Sequence, residues 1–305
     1  MAERNHIVLS SADVSDLRAR YRFSDLRSFL RLYYDNVAVL RNAADFADMT
    51  RAYLTRAERA GVRHAEVFVD PQAHTARQVP LSEVLDGVTT VLATSERDFG
   101  ISSGLIVTFL RDLPVKRAMD TLEEVLQLDF PVIGVGLDSA EVGHPPGRFR
   151  DVFARARAEG LACVAHAGEE GPAAYIWEAL DSLKVTRIDH GVRCLDDDAL
   201  VERLARDSVP LTVCPLSNVA LGVVSRMEEH PLPAMLRRGL AVTVNSDDPA
   251  YFGGYVDDNY AALVEHLGLG RHEIATLARN SVAASLLPSI SRNRLVSEIM
   301  AWEAR

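Results

Sequence analysis

Short apolar runs alternate with amphipathic stretches along most of the chain. The runs lie at His64–Val69, Gly104–Leu110, Val132–Leu137, Ala162–Ala165, Arg187–Asp189, Pro210–Val213 and Ala241–Asn245. Between them, Pro80–Phe99, Lys116–Leu128, Arg148–Glu159, Ala173–Leu183, Asp197–Arg206 and Leu232–Arg238 read as helices. Strand–helix alternation of this kind predicts parallel strands covered by helices. Ahead of the first run, Ser15–Arg41 and Asp45–Arg59 also read as helical. The opening Met1–Asn5 reads as the end of a helix.

Two architectures suit this α/β pattern, a TIM-type (β/α)8 barrel and a doubly wound open sheet. No Gly-x-Gly-x-x-Gly follows an early strand, so the dinucleotide fingerprint of the open sheet is missing. Polar residues recur where strand after strand ends: Asp70, Asp138 and Ser139, His166, His190, Ser217 and Asn218, Asp247 and Asp248. In a barrel these ends meet at one mouth, whereas an open sheet uses only those near its switch point. Helix capping accounts for Ser, Asn and Asp at such places but not for histidine. The expected fold is therefore a TIM-type barrel of the metal-dependent hydrolase kind, one domain over residues 1–305. Seven strands are recognisable, one fewer than a closed barrel of this type needs.

Composition narrows the function classes. The 305 residues are 48% hydrophobic and 25% charged, enough for a substantial core. A net charge of −10 without a basic block argues against a nucleic-acid partner. No stretch approaches the ~20 apolar residues of a membrane span, and the start carries no signal-peptide pattern. Cys163, Cys194 and Cys214 form neither a disulfide framework nor a zinc ribbon, which fits a reducing cytoplasm. Cys163 and Cys214 lie in apolar runs and read as small core residues.

Three segments carry candidate chemistry. LACVAHAGEEG sets His166 at a strand end and Glu169 three residues on. Imidazole is the commonest metal ligand, and a carboxylic acid screened from water can serve as a general acid. The plainer alternative is a core histidine with a helix-capping glutamate. RIDHGVR sets His190 at the next strand end, where it is either structural or a partner for a water beside a metal. Its neighbours Asp189 and Arg193 read as bystanders. NSDDPAYFGG places Asp247 beside Asp248, and like charges this close call for a cation. The plainer alternative is a helix N-cap before Pro249, which explains one aspartate better than two. Together the segments point to a metal-assisted hydrolase.

HAGEE, IDHGVRC, TVCPLSN and VNSDDPAYFGG together resemble the adenosine and adenine deaminase family of zinc-dependent TIM-barrel hydrolases. AEVFVDPQAHTAR and VGLDSAEVGHPP favour the adenine branch. The resemblance implies hydrolysis of a purine, adenine and water giving hypoxanthine and ammonia. It implies that His166 and Asp247 ligate zinc, and that Glu169 protonates the purine ring nitrogen beside the amino carbon. His190 would orient the metal-bound hydroxide, and Asp248 would hold the imidazole-ring nitrogen of the purine. Gly168 would lie against the base, where a side chain would intrude. Adenosine, an N6-substituted purine or another nitrogen heterocycle are alternative substrates. An inactive homologue that binds purine or a partner protein is the alternative of a different class.

The sequence departs from the family in one respect. The His-x-His pair at the end of the family's first strand, which supplies two more zinc ligands, has no counterpart among the nine histidines. The expectation is a chain that starts about one strand late, holds zinc weakly, and self-associates through an open barrel edge. His64 opens a strand at the wrong end to substitute, and His74 after Asp70 is the least implausible replacement.

Overall fold

The computed structural model describes residues 1–9, 11 and 13–305. The chain groups into two compact units, Met1–His144 with Arg148–Leu161, and Pro145–Gly147 with Ala162–Arg305. In the first unit, β1 (His64–Val69), β2 (Ser102–Leu110) and β3 (Val132–Asp138) form a parallel ladder in that order. In the second, β4 (Ala162–Ala167), β5 (Arg187–His190), β6 (Pro210–Val213) and β7 (Ala241–Val244) form another. Every run expected as a strand is one, within two residues at either end.

The helices differ more from expectation. Ser15–Arg41 is not continuous: it divides into Val14–Ala19 and Leu26–Val37. Asp25 starts the second piece, its side chain accepting from the Ser28 backbone while Ser28 Oγ takes the Asp25 N–H, a reciprocal cap that fixes a helix start. Pro80–Phe99 likewise breaks into Leu81–Leu92 and Ser95–Phe99. Met1–Asn5 forms turns rather than a helix, with Asn5 N–H donating to the Met1 carbonyl at 2.9 Å. Arg4 and Asn5 tie these turns to the buried carboxylate of Asp45, at 3.0 and 2.6 Å.

Packing in the first unit rests on the helices Ala43–Arg59 and Leu81–Leu92, which meet at Gly87. A Cβ there would lie 2.3 Å from the Ala43 carbonyl oxygen and 2.6 Å from Phe46 Cβ, so only glycine permits the approach. Phe46 and Leu54 are fully buried beside it, each contributing about 2–3 kcal/mol. His74 belongs to this core. It stacks edge-on to Phe46 at 4.7 Å and accepts at Nδ1 from Arg77 at 2.9 Å. Burial, then the Arg77 charge, pushes its pKa down to about 3. His64 pairs with Ser102 and Glu66 at the start of β1. No helix among the described residues is long and apolar enough to cross a membrane.

Candidate active site

All six residues singled out for chemistry lie in the second unit, at or just beyond the C-terminal ends of its strands. The register makes this so. Parallel pairing sets His166 opposite Asp189 and Ala167 opposite His190. The next ladders set Asp189 opposite Thr212 and Val213 opposite Val244. The residues that follow β6 and β7, Cys214 and Asn245–Asp248, therefore emerge on the same side as His190.

His190 is the hub. Its ring lies 4.9 Å from that of His166, its Nδ1 3.8 Å from Glu169 Oε1, and its Nε2 3.9 Å from Asp247 Oδ2. The His190 and Glu169 side chains are almost wholly buried, while Asp247 keeps 17% of its side chain exposed. His190 has φ 62° and Asp247 φ 54°, a left-handed backbone uncommon for side chains of this size. Such strain persists where surrounding structure fixes it, and it concentrates at functional sites. Gly168 also has φ 71°, and a Cβ there would lie 2.5 Å from Ile176 Cδ1. The need for glycine thus has a local packing cause.

Glu169 and Asp248 show no side-chain cap hydrogen bond. The helix after Glu169, Ala173–Glu178, has Pro172 at its N-cap and no side-chain cap hydrogen bond. Asp248 does occupy the N-cap position before Pro249–Phe252, yet its side chain makes no cap bond either.

Two further residues lie beside these side chains. Asp189, expected only to pair with its neighbours, does pair with them. It is buried, with Oδ1 accepting from Thr212 Oγ1 at 2.9 Å and Oδ2 lying 3.7 Å from His166 Nδ1. At 3.7 Å this contact is beyond hydrogen-bond reach, and Asp189 Oδ1 also stands 3.6 Å from Arg187 Nε. Cys214 is buried, as expected of a small core residue, and it also lies beside His190 and Asp247. One ligand atom each from His190, Cys214 and Asp247 lie within 4.8 Å of one another. Burial first, and then the charges of Asp247, Glu169, Asp189 and Asp248, push its thiol pKa well up. The signal for Cys214 was its position directly after a strand, shared with the other site residues.

The donor set fits a divalent cation. It offers imidazole nitrogen, carboxylate oxygen and thiol sulfur, in surroundings whose negative charge needs offsetting.

The adenosine deaminase family model matches residues 1–302. Adenine deaminase of Ectopseudomonas mendocina is 55% identical over 286 residues, 94% of this chain and 91% of that protein. Adenine deaminase of Streptomyces coelicolor is 54% identical over 304 residues, 99% and 89% of the two chains. The crystal structure of adenine deaminase from Arthrobacter aurescens superposes with a TM-score of 0.99 at 55% identity, covering 100% of this chain and 93% of that one. The fold is thus the α/β TIM-barrel kind, and this chain belongs to the adenosine deaminase family.

Proposed function

We propose that the chain is a metal-dependent aminohydrolase that converts adenine and water to hypoxanthine and ammonia. The carrying observation is the convergence of Glu169 and Asp247 on the two nitrogens of His190, beside His166. Identities of 54–55% to adenine deaminases over nearly the whole chain support adenine as the substrate.

His166, through Nε2, and Asp247 would hold the metal, with zinc the ion that best suits an imidazole and carboxylate pair. The bound ion would supply Lewis acidity and lower the pKa of a water. Asp189 would hold the His166 ring by its Nδ1. Glu169, screened from solvent, would carry a proton to the ring nitrogen next to the amino-bearing carbon. That protonation draws electrons from the carbon and opens it to water. His190, between Glu169 and Asp247, would hold the attacking water by a hydrogen bond. A new C–O bond forms, the C–N bond to the amino group breaks, and nitrogen leaves as ammonia after gaining a proton. Asp248 would accept from an N–H on the five-membered ring.

The test is incubation of zinc-loaded protein with adenine, adenosine and an N6-methylated purine. Adenine should lose its ultraviolet absorbance and release ammonia one for one. Preference for either of the other two would overturn the substrate assignment.

A further inference from the structure

Cys214 has no part in the chemistry above, yet it shares a small volume with two residues that do. Its donor atom and those of His190 and Asp247 lie within 4.8 Å of one another. Within that set, His190 Nε2 stands 3.9 Å from Asp247 Oδ2. In a tetrahedral site with bonds of about 2.0–2.3 Å, donor atoms stand about 3.3–3.8 Å apart. A closure of about 1 Å by side-chain rotation brings the three to a common ion, and a larger ion needs less.

We propose that His190, Cys214 and Asp247 form a second cation site, selective for thiophilic ions, which shares Asp247 with the proposed zinc site but replaces His166 by sulfur. Thiolate is the donor that separates soft ions from hard ones, so cadmium and mercuric ions should enter here and magnesium and calcium should not. Coordination turns the thiol into thiolate and releases its proton to solvent. It also gives up the contact, 3.4 Å long, that Cys214 Sγ makes with the Thr212 carbonyl. An ion so placed occupies His190 and Asp247 together and blocks turnover. The blocking rests on the deaminase reading, but the binding does not.

The experiment titrates the metal-stripped full chain with cadmium and follows the ultraviolet thiolate-to-cadmium charge-transfer band, beside equilibrium binding of the ion. The expected result is one cadmium per chain with the band present. Cys214→Ser should abolish the band and weaken binding roughly tenfold or more. Cys163→Ala and Cys194→Ala should keep both. His190→Asn, which leaves the sulfur in place, should weaken binding about as much while the band returns at saturation. A band that survives Cys214→Ser overturns the proposal. So do cadmium binding without a band, and unchanged affinity in His190→Asn. If zinc-loaded protein fails to act on adenine while the cadmium results hold, the deaminase reading falls and the second site stands.

Discussion

His166 Nδ1 lies 3.7 Å from Asp189 Oδ2, and Asp189 is itself held from below by Thr212. A carboxylate so close would favour the proton on Nδ1 and leave Nε2 for a metal. Asp189→Asn keeps the shape but removes that charge. Zinc affinity should fall about 10–100-fold, read by competition with a chelating dye. Unchanged affinity would mean that Asp189 serves packing alone.

The two adjacent aspartates should separate by what they lose. Asp247→Ala should release metal, since Asp247 is one of the two proposed protein ligands. Asp248→Ala should retain metal and raise KM for adenine by about tenfold or more, as expected for a lost hydrogen bond to a charged acceptor. Metal analysis and steady-state kinetics on the two variants decide it. Identical behaviour would contradict the division of labour.

These pairs also mark how far the sequence could be read. The strands were legible because each is a short apolar run ended by a polar residue, and parallel pairing then brings those ends together. His166, Glu169, His190, Asp247 and Asp248 were therefore visible as strand-end residues. Cys214 was legible as a small buried side chain, as its place in an apolar run implies, but not as a neighbour of His190 and Asp247, which only the fold shows. Asp189 was hidden inside its strand, where only the register reveals that it faces His166. The break between Val14–Ala19 and Leu26–Val37 depends on one reciprocal cap at Asp25 and Ser28, a local detail that a helical periodicity overrides.

Gly168→Ala should destabilise the fold by about 1–3 kcal/mol, seen as a lower urea midpoint. The added Cβ would meet Ile176 at 2.5 Å, on a backbone with φ 71°. Adding Ile176→Val removes Cδ1 but keeps Cγ1, 2.8 Å from the added Cβ, so it should recover only part of the steric loss and none of the backbone part. No recovery at all would show that the Cδ1 contact contributes nothing to the cost.

Stability should fall on mild acidification, partly through His230. Its Nδ1 accepts from the Leu232 N–H at 3.1 Å, and its Nε2 stands 3.2 Å from Asn218 Oδ1, a neutral tautomer enclosed by protein. Burial lowers its pKa from 6.5 to about 4. The unfolded chain thus takes the proton first. The contribution is complete above pH 6.5 and is lost as pH falls toward 4, amounting to about 3 kcal/mol. His74, held down to about 3, adds to the same slope. Urea midpoints measured against pH should be flatter in His230→Gln than in the native chain. An unchanged slope would show that His230 does not titrate in this way.

The central claim is that a metal held at His166 and Asp247 works with a proton from Glu169 upon adenine. Its most direct test is ammonia release from adenine by the zinc-loaded native chain and by zinc-loaded Glu169→Gln, with zinc content measured in both. The expected result is steady release by the native chain, and a rate lower by about 10²–10⁴-fold in the variant at equal zinc content. Equal rates in the two proteins, or no release from native protein carrying its zinc, would contradict it.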